Sequence, residues 1–288
     1  MASGIIVMDK PADWTSMDVC AKLRGILKEK RIGHAGTLDP MATGVLPVFV
    51  GSATRAVEFA EKGDKEYIAG LRLGLVTNTQ DITGEILEEH QVTVGRRELE
   101  EVLPKFTGPI RQIPPMYSAI KRDGKRLYEL ARAGKEVHRD PRPIIIHAIE
   151  VMEQLGDTEY LLRVRCSKGT YVRTLCHDIG GALGCGGTMS SLRRTMAAGF
   201  TLEEAVTLEE VQERGTELLM PADQYFRDMP AYTINDLRQE KFCRNGNPVK
   251  APGLSAGEYR VYGANGEFLC VSRWADGRLT SVKNFFGA

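Results

Sequence analysis

Residues 31–47 constrain the fold of this chain more than any other part of its sequence, because they favour an irregular backbone. The segment reads RIGHAGTLDPMATGVLP, and its three glycines permit positive φ or a close approach of another backbone. Pro40 fixes its own φ and disfavours the helical region for Asp39. We therefore expect a loop that holds one carboxylate in place, which a solvated surface loop would not need.

Strand patterns outnumber helical patterns along the rest of the chain. Short apolar runs predict strands at 4–9, 45–50 and 65–75, and a hairpin of 144–155 and 160–166 around residues 156–157. Apolar residues at helical spacing predict helices at 16–30, with Ser16 as N-cap, at 54–61 and at 171–183. The excess of strands and the irregular connections predict an α+β fold on a mixed, mostly antiparallel sheet.

The length of 288 residues suits two domains of unequal size. We expect a large domain at residues 1–228 and a small β-rich module at 229–288. In the module, the sequence predicts a helix at 235–245 and strands at 258–261, 268–274 and 279–286, separated by turns that contain glycine.

Charge is segregated along the chain, although the formal net charge is zero. Residues 105–142 hold ten Lys or Arg against four acids, a local net of +6. Residues 77–103 carry seven acids against two bases, and residues 201–228 carry eight against two. This pattern predicts a basic face that suits an anionic ligand, although a solvated basic loop has the same composition.

The remaining composition argues against several other classes of protein. The six cysteines fall at no metal-ligand spacing and in no close pairs, which is typical of reduced core thiols. The apolar run at residues 4–8 is too short for a signal peptide, and no segment approaches the roughly 20 apolar residues of a membrane span. We expect a soluble, cytoplasmic protein without a metal site.

The loop motif GHAGTLDPMATGVLP, at residues 33–47, resembles the catalytic motif of the bacterial tRNA pseudouridine synthase B family. Further motifs follow in the order of that family and cover about residues 4–195. They are DKP at 9–11, KEY at 65–67, IPPMYSAIK at 113–121, CSKGTYVR at 166–173 and LRR at 192–194. The resemblance implies a pseudouridine synthase fold and an isomerase that converts uridine 55 in the T-loop of tRNA to pseudouridine.

The resemblance also implies roles for three residues in the reaction. Asp39 would be the essential catalytic carboxylate, which either attacks the ribose C1′ or removes the C2′ proton; the sequence does not decide between these routes. Arg173 would pair with Asp39 and keep it ionised and oriented. Tyr171 would assist the removal of the C5 proton. Without the resemblance, a loop aspartate is more often a structural acceptor of backbone N–H groups.

Three further residues would bind the substrate by the same resemblance. Tyr67 would stack on the extruded base, and Leu192 would form an apolar wall beside it. His34 would contact the RNA loop and help fill the gap that the base leaves. Taken alone, Tyr67 and Leu192 would be ordinary strand and core residues, and His34 a structural loop histidine.

The basic segment 105–142 matches the RNA-gripping insertion of the family. Its phosphate contacts would come from Lys121, Arg122, Lys125 and Arg126, which give affinity and little sequence information. The partner would be the T-arm of tRNA, with no metal or organic cofactor, no obligate protein partner and a monomeric chain. The module at 229–288 would be a compact, PUA-like RNA-binding appendage.

Two other functions are compatible with parts of the sequence. A hydrolase that cleaves an N-glycosidic bond would need a second carboxylate beside Asp39, and the sequence suggests none. A protein that binds tRNA and assists its folding would depend on Lys121, Lys125 and Arg126 and not on Asp39.

Overall fold

The computed structural model of the chain describes residues 2–122 and 124–286, so the predicted domain bounds at residues 1 and 288 lie outside it. Its first thirteen strands, in chain order, are β1 (Gly4–Lys10), β2 (Ile32–His34), β3 (Thr43–Val50), β4 (Lys65–Leu73), β5 (Leu75–Thr77), β6 (Ile86–Glu89), β7 (Gly108–Gln112), β8 (Lys121–Arg122), β9 (Lys125–Arg126), β10 (Arg142–Gly156), β11 (Glu159–Cys166), β12 (Gly187–Ala197) and β13 (Phe200–Thr201).

The helices between these strands are short. They are α1 (Ser16–Leu27), α2 (Val57–Ala60), α3 (Arg96–Val102), α4 (Leu127–Arg132), α5 (Val172–Ala182) and α6 (Leu208–Arg214). Single 3₁₀ turns lie at Gly51–Ala56, Leu103–Phe106, Leu202–Glu204, Gly215–Leu218 and Ala222–Phe226.

The main sheet runs in the order β1-β3-β12-β4-β11-β10-β7, with β2 added to β3 and β13 added to β12. Among these pairs, β3 and β12 are parallel and the others are antiparallel. The prediction of an α+β fold on a mixed, mostly antiparallel sheet is confirmed. In the parallel pair, Gly44 lies opposite Arg194, which brings the end of the 31–47 loop beside β12.

Helix α1 begins at Ser16, as predicted, but the predicted N-cap is wrong by one residue. The N-cap is Thr15, whose side chain accepts the N–H of Asp18 at 3.1 Å while the Asp18 carboxylate accepts the N–H of Thr15 at 2.9 Å. Ser16 instead uses its hydroxyl to accept the N–H of Leu38 at 2.9 Å, 22 residues along the chain. The helix ends at Leu27 and not at residue 30, because Lys28 is left-handed with φ 51°.

Other boundaries also differ from expectation. The hairpin of β10 and β11 is confirmed, but the strand predicted at 65–75 breaks after Leu73, because Gly74 has φ +91°. The helix predicted at 54–61 is a 3₁₀ turn followed by α2. Strand β12 was missed, since bulges after Met189 and Arg194 interrupt its alternating pattern.

The chain after residue 230 forms a second sheet. It contains β14 (Ala231–Thr233), helix α7 (Leu237–Arg244), β15 (Val249–Lys250), β16 (Gly257–Tyr262), β17 (Phe268–Ala275) and β18 (Arg278–Asn284), paired in the order β14-β16-β17-β18-β15. No helix within residues 2–122 and 124–286 is long and apolar enough to cross a membrane.

An aromatic cluster joins this second sheet to the main body. Phe226 lies 5.3 Å from Phe59 on α2 and 5.5 Å from Phe285, measured between ring centroids. Phe285 in turn stacks on Phe268 of β17 at 4.9 Å. Together these rings form one cluster with buried residues of the main sheet. The two sheets therefore pack through a shared apolar interface.

Candidate active site

The loop that carries Asp39 is fastened on both sides of the carboxylate. On one side, the N–H of Leu38 donates to the Ser16 hydroxyl at 2.9 Å. On the other side, the carbonyl of Pro40 accepts from the N–H of Asp13 at 2.9 Å and from the Lys10 ammonium at 3.1 Å. Because both neighbouring peptides are held, the backbone at Asp39 has little freedom to move.

Lys10 is a structural part of this site whose role the sequence did not reveal. Its side chain is fully buried, and its ammonium also donates to the carbonyls of Pro11 at 2.7 Å and Trp14 at 2.6 Å. Burial lowers the pKa of Lys10 to about 8. The DKP motif was visible in the sequence, but the motif does not indicate which carbonyls the lysine reaches.

The structure brings Arg173 and Asp39 together in a two-pronged ion pair. Nε of Arg173 lies 3.0 Å from Oδ2 of Asp39, and Nη2 lies 3.3 Å from Oδ1. Arg173 lies in the first turn of α5 and is 6% exposed, whereas the side chain of Asp39 is 35% exposed. The pair therefore presents one face of the carboxylate to a ligand and covers the other.

A second carboxylate, Asp81, shares the same guanidinium and was missed from the sequence. Its Oδ2 lies 3.4 Å from Nη1 of Arg173. Its other oxygen accepts from the Thr79 hydroxyl at 2.9 Å and the N–H of Thr83 at 3.0 Å. The acidic character of the segment 77–103 was the available signal, but nothing in the sequence connects residue 81 to residue 173.

Asp39 has a raised pKa as a result of these surroundings. Burial raises the pKa of the Asp39 carboxyl most, and the nearby charge of Asp81 raises it further. Arg173 and Lys10 act in the opposite direction and lower the pKa of Asp39. Arg173 thus offsets part of the cost of ionising a half-buried carboxylate.

Tyr67 and Leu192 lie on neighbouring strands at the centre of the main sheet. Tyr67 on β4 is opposite Arg194 of β12, and Leu192 is opposite Ala69, so both side chains lie on the same face. Both are buried, and they share one apolar cluster with Leu38 of the Asp39 loop. An aromatic and an aliphatic side chain therefore lie beside the loop that carries the carboxylate.

Tyr171 lies immediately before α5, and its backbone is held by one side chain. The N–H of Tyr171 donates to Oε1 of Gln112 at 2.8 Å, and its carbonyl accepts from Nε2 of the same amide at 3.0 Å. The Ser118 hydroxyl faces the Tyr171 phenol without a hydrogen bond of ordinary geometry. Burial raises the pKa of Tyr171, so the phenol keeps its proton at neutral pH.

His34 is the last residue of β2 and pairs with Val48 of β3. Its Nδ1 is buried without a hydrogen-bond partner among the described residues. Burial lowers the pKa of His34, and the charge of Arg194 lowers it further, so the imidazole is neutral near pH 7. No described hydrogen bond or ion pair connects His34 to Asp39.

The four basic residues predicted to contact phosphate lie together on a small hairpin. Lys121 and Arg122 form β8, Lys125 and Arg126 form β9, and all four are exposed. The basic segment 105–142 also reaches the ion pair. Tyr117, four residues before the hairpin, accepts from Nη2 of Arg173 through its carbonyl at 3.0 Å. The basic surface and the ion pair are therefore physically connected.

The described residues contain no cluster of three or more His, Cys, Asp or Glu side chains that could hold a metal ion. Asp39, Asp81 and Arg173 instead form a network of direct ion pairs. Its only solvent-facing carboxylate, Asp39, follows Leu38, which packs in one cluster with Tyr67. This arrangement suits attack on, or proton removal from, a ligand stacked on that ring.

The fold of this chain resembles those of two solved structures. The chain resembles the structure titled "Crystal Structure of a Cbf5-Nop10-Gar1 Complex" with a TM-score of 0.74 and 27% identity, covering 98% of this chain and 85% of that one. The structure titled "Structure of H/ACA RNP bound to a substrate RNA containing 2'-deoxyuridine" gives a TM-score of 0.73 and 26% identity, covering 99% and 85%.

Comparison of sequences shows the family to which the chain belongs. Residues 24–172 match the TruB family pseudouridylate synthase N-terminal domain, and residues 173–229 match the tRNA pseudouridylate synthase B C-terminal domain. The tRNA pseudouridine synthase B of Pseudomonas fluorescens strain Pf0-1 is 47% identical over 96% of this chain and 93% of its own length. The same enzyme of Azoarcus sp. strain BH72 is 42% identical over 97% and 93%. The chain belongs to the TruB family of pseudouridylate synthases, which are isomerases.

Proposed function

We propose that this protein converts the T-loop uridine at position 55 of tRNA to pseudouridine, with Asp39 as the catalytic carboxylate. One observation carries the proposal: Asp39 is held by Arg173, is partly open to solvent, and lies on the loop whose Leu38 packs in one cluster with buried Tyr67 and Leu192. The relatives named tRNA pseudouridine synthase B support tRNA as the substrate.

The reaction breaks the N1–C1′ bond, turns the uracil and joins C5 to C1′, without net redox change. A base in a folded RNA loop must first leave its stack, and Tyr67 would replace the lost stacking while Leu192 covers the edge of the ring. Asp39 would attack C1′ or remove the C2′ proton, and both routes need its ionised form. Tyr171 would assist removal of the C5 proton, and His34 would occupy the space that the base leaves in the RNA.

Hydrolysis of the same bond is disfavoured by the position of the second carboxylate. A hydrolase needs two carboxyl groups that reach the scissile bond or its attacking water. Asp81 is 4% exposed, and its oxygens already accept from Thr79, Thr83 and Arg173. A carboxylate so enclosed is suited to raising the pKa of Asp39 and not to activating water.

The RNA-binding surface would have two parts. In the first, Lys121, Arg122, Lys125 and Arg126 would contact phosphates of the T-arm, within a catalytic domain at residues 1–228 whose basic insertion is about 105–142. The second would be the module at 229–288, a PUA-like RNA-binding appendage. We propose a cytoplasmic monomer that needs neither a cofactor nor a protein partner.

Release of tritium from tRNA labelled at uridine C5 tests the catalytic assignment, because C5 loses its hydrogen only when it bonds to C1′. Wild-type protein should release tritium into water, and Asp39→Asn should not. Asp64→Asn is a matched control, since Asp64 is a half-exposed carboxylate paired with His147 at 3.2 Å. Full activity of Asp39→Asn would refute the assignment, and free uracil in the products would favour the hydrolase.

A salt series tests the basic hairpin separately. A double substitution of Lys125 and Arg126 by alanine should weaken tRNA binding and lower the slope of log K against log salt by about 1.4 to 1.8. An unchanged slope would remove the hairpin from the interface. If Asp39→Asn were inactive in vitro but complemented a strain lacking this enzyme, while the double variant did not, assistance of tRNA folding would be the main role.

A further inference from the structure

Arg194 carries a buried charge that the ion pairs of the site do not neutralise. The residue is 1% exposed, and its Nε donates to the carbonyl of Val45 at 2.7 Å and Nη2 to that of Gly36 at 3.0 Å. Within residues 2–122 and 124–286, no carboxylate lies in ion-pair distance of its guanidinium. Burial lowers the pKa of Arg194, but a guanidinium keeps its proton in proteins.

Burying such a charge lowers the stability of the folded protein, because carbonyl dipoles compensate only part of the desolvation of a guanidinium. We therefore expect a function that requires the charge. Packing alone does not require it, since an apolar side chain of similar length would fill the same space. The position of Arg194 indicates what the charge acts on.

The guanidinium connects the Asp39 loop to the strand that carries Tyr67. Gly36 and Val45, whose carbonyls it holds, lie on either side of Asp39 in the chain, and Tyr67 is opposite Arg194 across β4 and β12. Gly44 packs so closely on the backbone of Arg194 that a Cβ there would lie 2.2 Å from its carbonyl oxygen. The loop and the base-stacking residue are thus held in register by one side chain.

The two buried arginines of the site act on different groups. Arg173 is paired with Asp39 and Asp81, whereas Arg194 lies directly opposite Tyr67 across β12 and β4, on the same face of the sheet. The unneutralised charge therefore lies on the side of the base pocket. There it favours an anionic base.

We propose that Arg194 is a positioning residue that holds Tyr67 against the Asp39 loop and stabilises the negative charge on the departing base. The proposal rests on the function proposed above. When the N1–C1′ bond breaks, its electron pair stays on N1 and the uracil becomes an anion, whichever route Asp39 takes. The charge is consumed when C5 bonds to C1′; C5 then loses its proton and N1 gains one, so the product is an isomer of the substrate.

The proposal is tested with two substrates that differ in the acidity of the base. Single-turnover rates at saturating protein are measured on tRNA with uridine or 5-fluorouridine at the target position, by loss of the parent nucleoside after digestion and chromatography. Arg194→Met should slow the uridine reaction by about 10²–10³, the usual effect of removing one preorganised charge-stabilising group. The loss should be smaller with 5-fluorouridine, because fluorine itself stabilises the anion.

Two further variants keep the result interpretable. Arg194→Lys keeps the charge but cannot bond two carbonyls as a fork, so its rate should fall between wild type and Arg194→Met. It also provides the same two-substrate comparison if Arg194→Met fails to fold. Arg193→Met removes the neighbouring arginine, whose ion pair with Asp9 is half-exposed, and should leave the rate within about twofold of wild type.

The outcomes separate this inference from the proposed function. An equal loss of rate with both bases, or no loss at all, would overturn the role of Arg194, because a purely structural residue does not respond to the acidity of the base. If wild-type protein forms no pseudouridine in tRNA, the proposed function itself is refuted.

Discussion

Replacing Lys10 by methionine should destabilise the protein and loosen Asp39 at the same time. The three N–H donors of the buried ammonium reach the carbonyls of Pro11, Trp14 and Pro40, at 2.7, 2.6 and 3.1 Å. Methionine fills a similar volume but donates no hydrogen bond. The Pro40 carbonyl, next to Asp39, would keep the N–H of Asp13 as its remaining donor.

The size of the effect follows from two opposing contributions. Each buried acceptor left without its partner costs about 1–3 kcal/mol, but removing the lysine also removes the cost of burying its charge, so we expect a net loss of about 2–4 kcal/mol. The pKa of Lys10 is lowered to about 8 in the folded state, so the folded protein binds fewer protons than the unfolded chain between that pH and the ordinary value of 10.5. The free energy of unfolding of the wild-type protein therefore rises with pH in that window, whereas that of Lys10→Met does not. The stability lost by the variant relative to wild type should grow as the pH rises.

Urea denaturation followed by circular dichroism at pH 7 and pH 10 measures this directly. Lys22→Met is the control, because Lys22 is exposed on α1, and its effect should stay within about 0.5 kcal/mol of zero. A loss for Lys10→Met no larger than that of the control, or a loss that shrinks toward pH 10, would refute the reasoning.

Three further predictions concern the site and its supports. Since Asp81 raises the pKa of Asp39, Asp81→Asn should move the acid limb of the pH–rate profile to lower pH, and an unmoved limb would contradict the coupling. In urea denaturation, Gly44→Ala should cost at least about 1–3 kcal/mol because φ is +98° and a Cβ would clash with Arg194, whereas Gly25→Ala, in open space on α1, should gain up to about 1 kcal/mol. Thr15→Ala removes the N-cap hydrogen bond and should lower the free energy of unfolding by about 0.5–2 kcal/mol; an unchanged free energy of unfolding would contradict a stabilising role for the cap.

Local patterns in the sequence predicted much of this fold. The β10–β11 hairpin follows from two apolar runs around a short turn, and the irregular loop at Asp39 follows from glycine and proline. The sequence pattern does not distinguish Ser16 from Thr15 as the N-cap of α1, because two adjacent hydroxyl residues satisfy the same rule and only the contact of Ser16 with Leu38 separates them.

The contacts that complete the site lie beyond the reach of such patterns. Asp81 and Arg173 are 92 residues apart, and Lys10 and Pro40 are 30 apart. Each contact depends on which strands are neighbours, a property of the whole sheet that no window of sequence contains. The resemblance to a family indicated Arg173 but not Asp81, because Asp81 belongs to none of the motifs that carry the resemblance.

The aromatic cluster that joins the two sheets would affect how the proposed RNA-binding surfaces select RNA. Because Phe226 packs against both Phe59 and Phe285, the second module is held against the main body by packed aromatic rings. If the basic hairpin and the module both contact RNA, as proposed, they would behave as a bivalent binder with one preferred ligand geometry. An RNA whose shape matches the separation of the two surfaces would meet the second at high effective concentration, whereas an RNA of another shape would engage only one of the two.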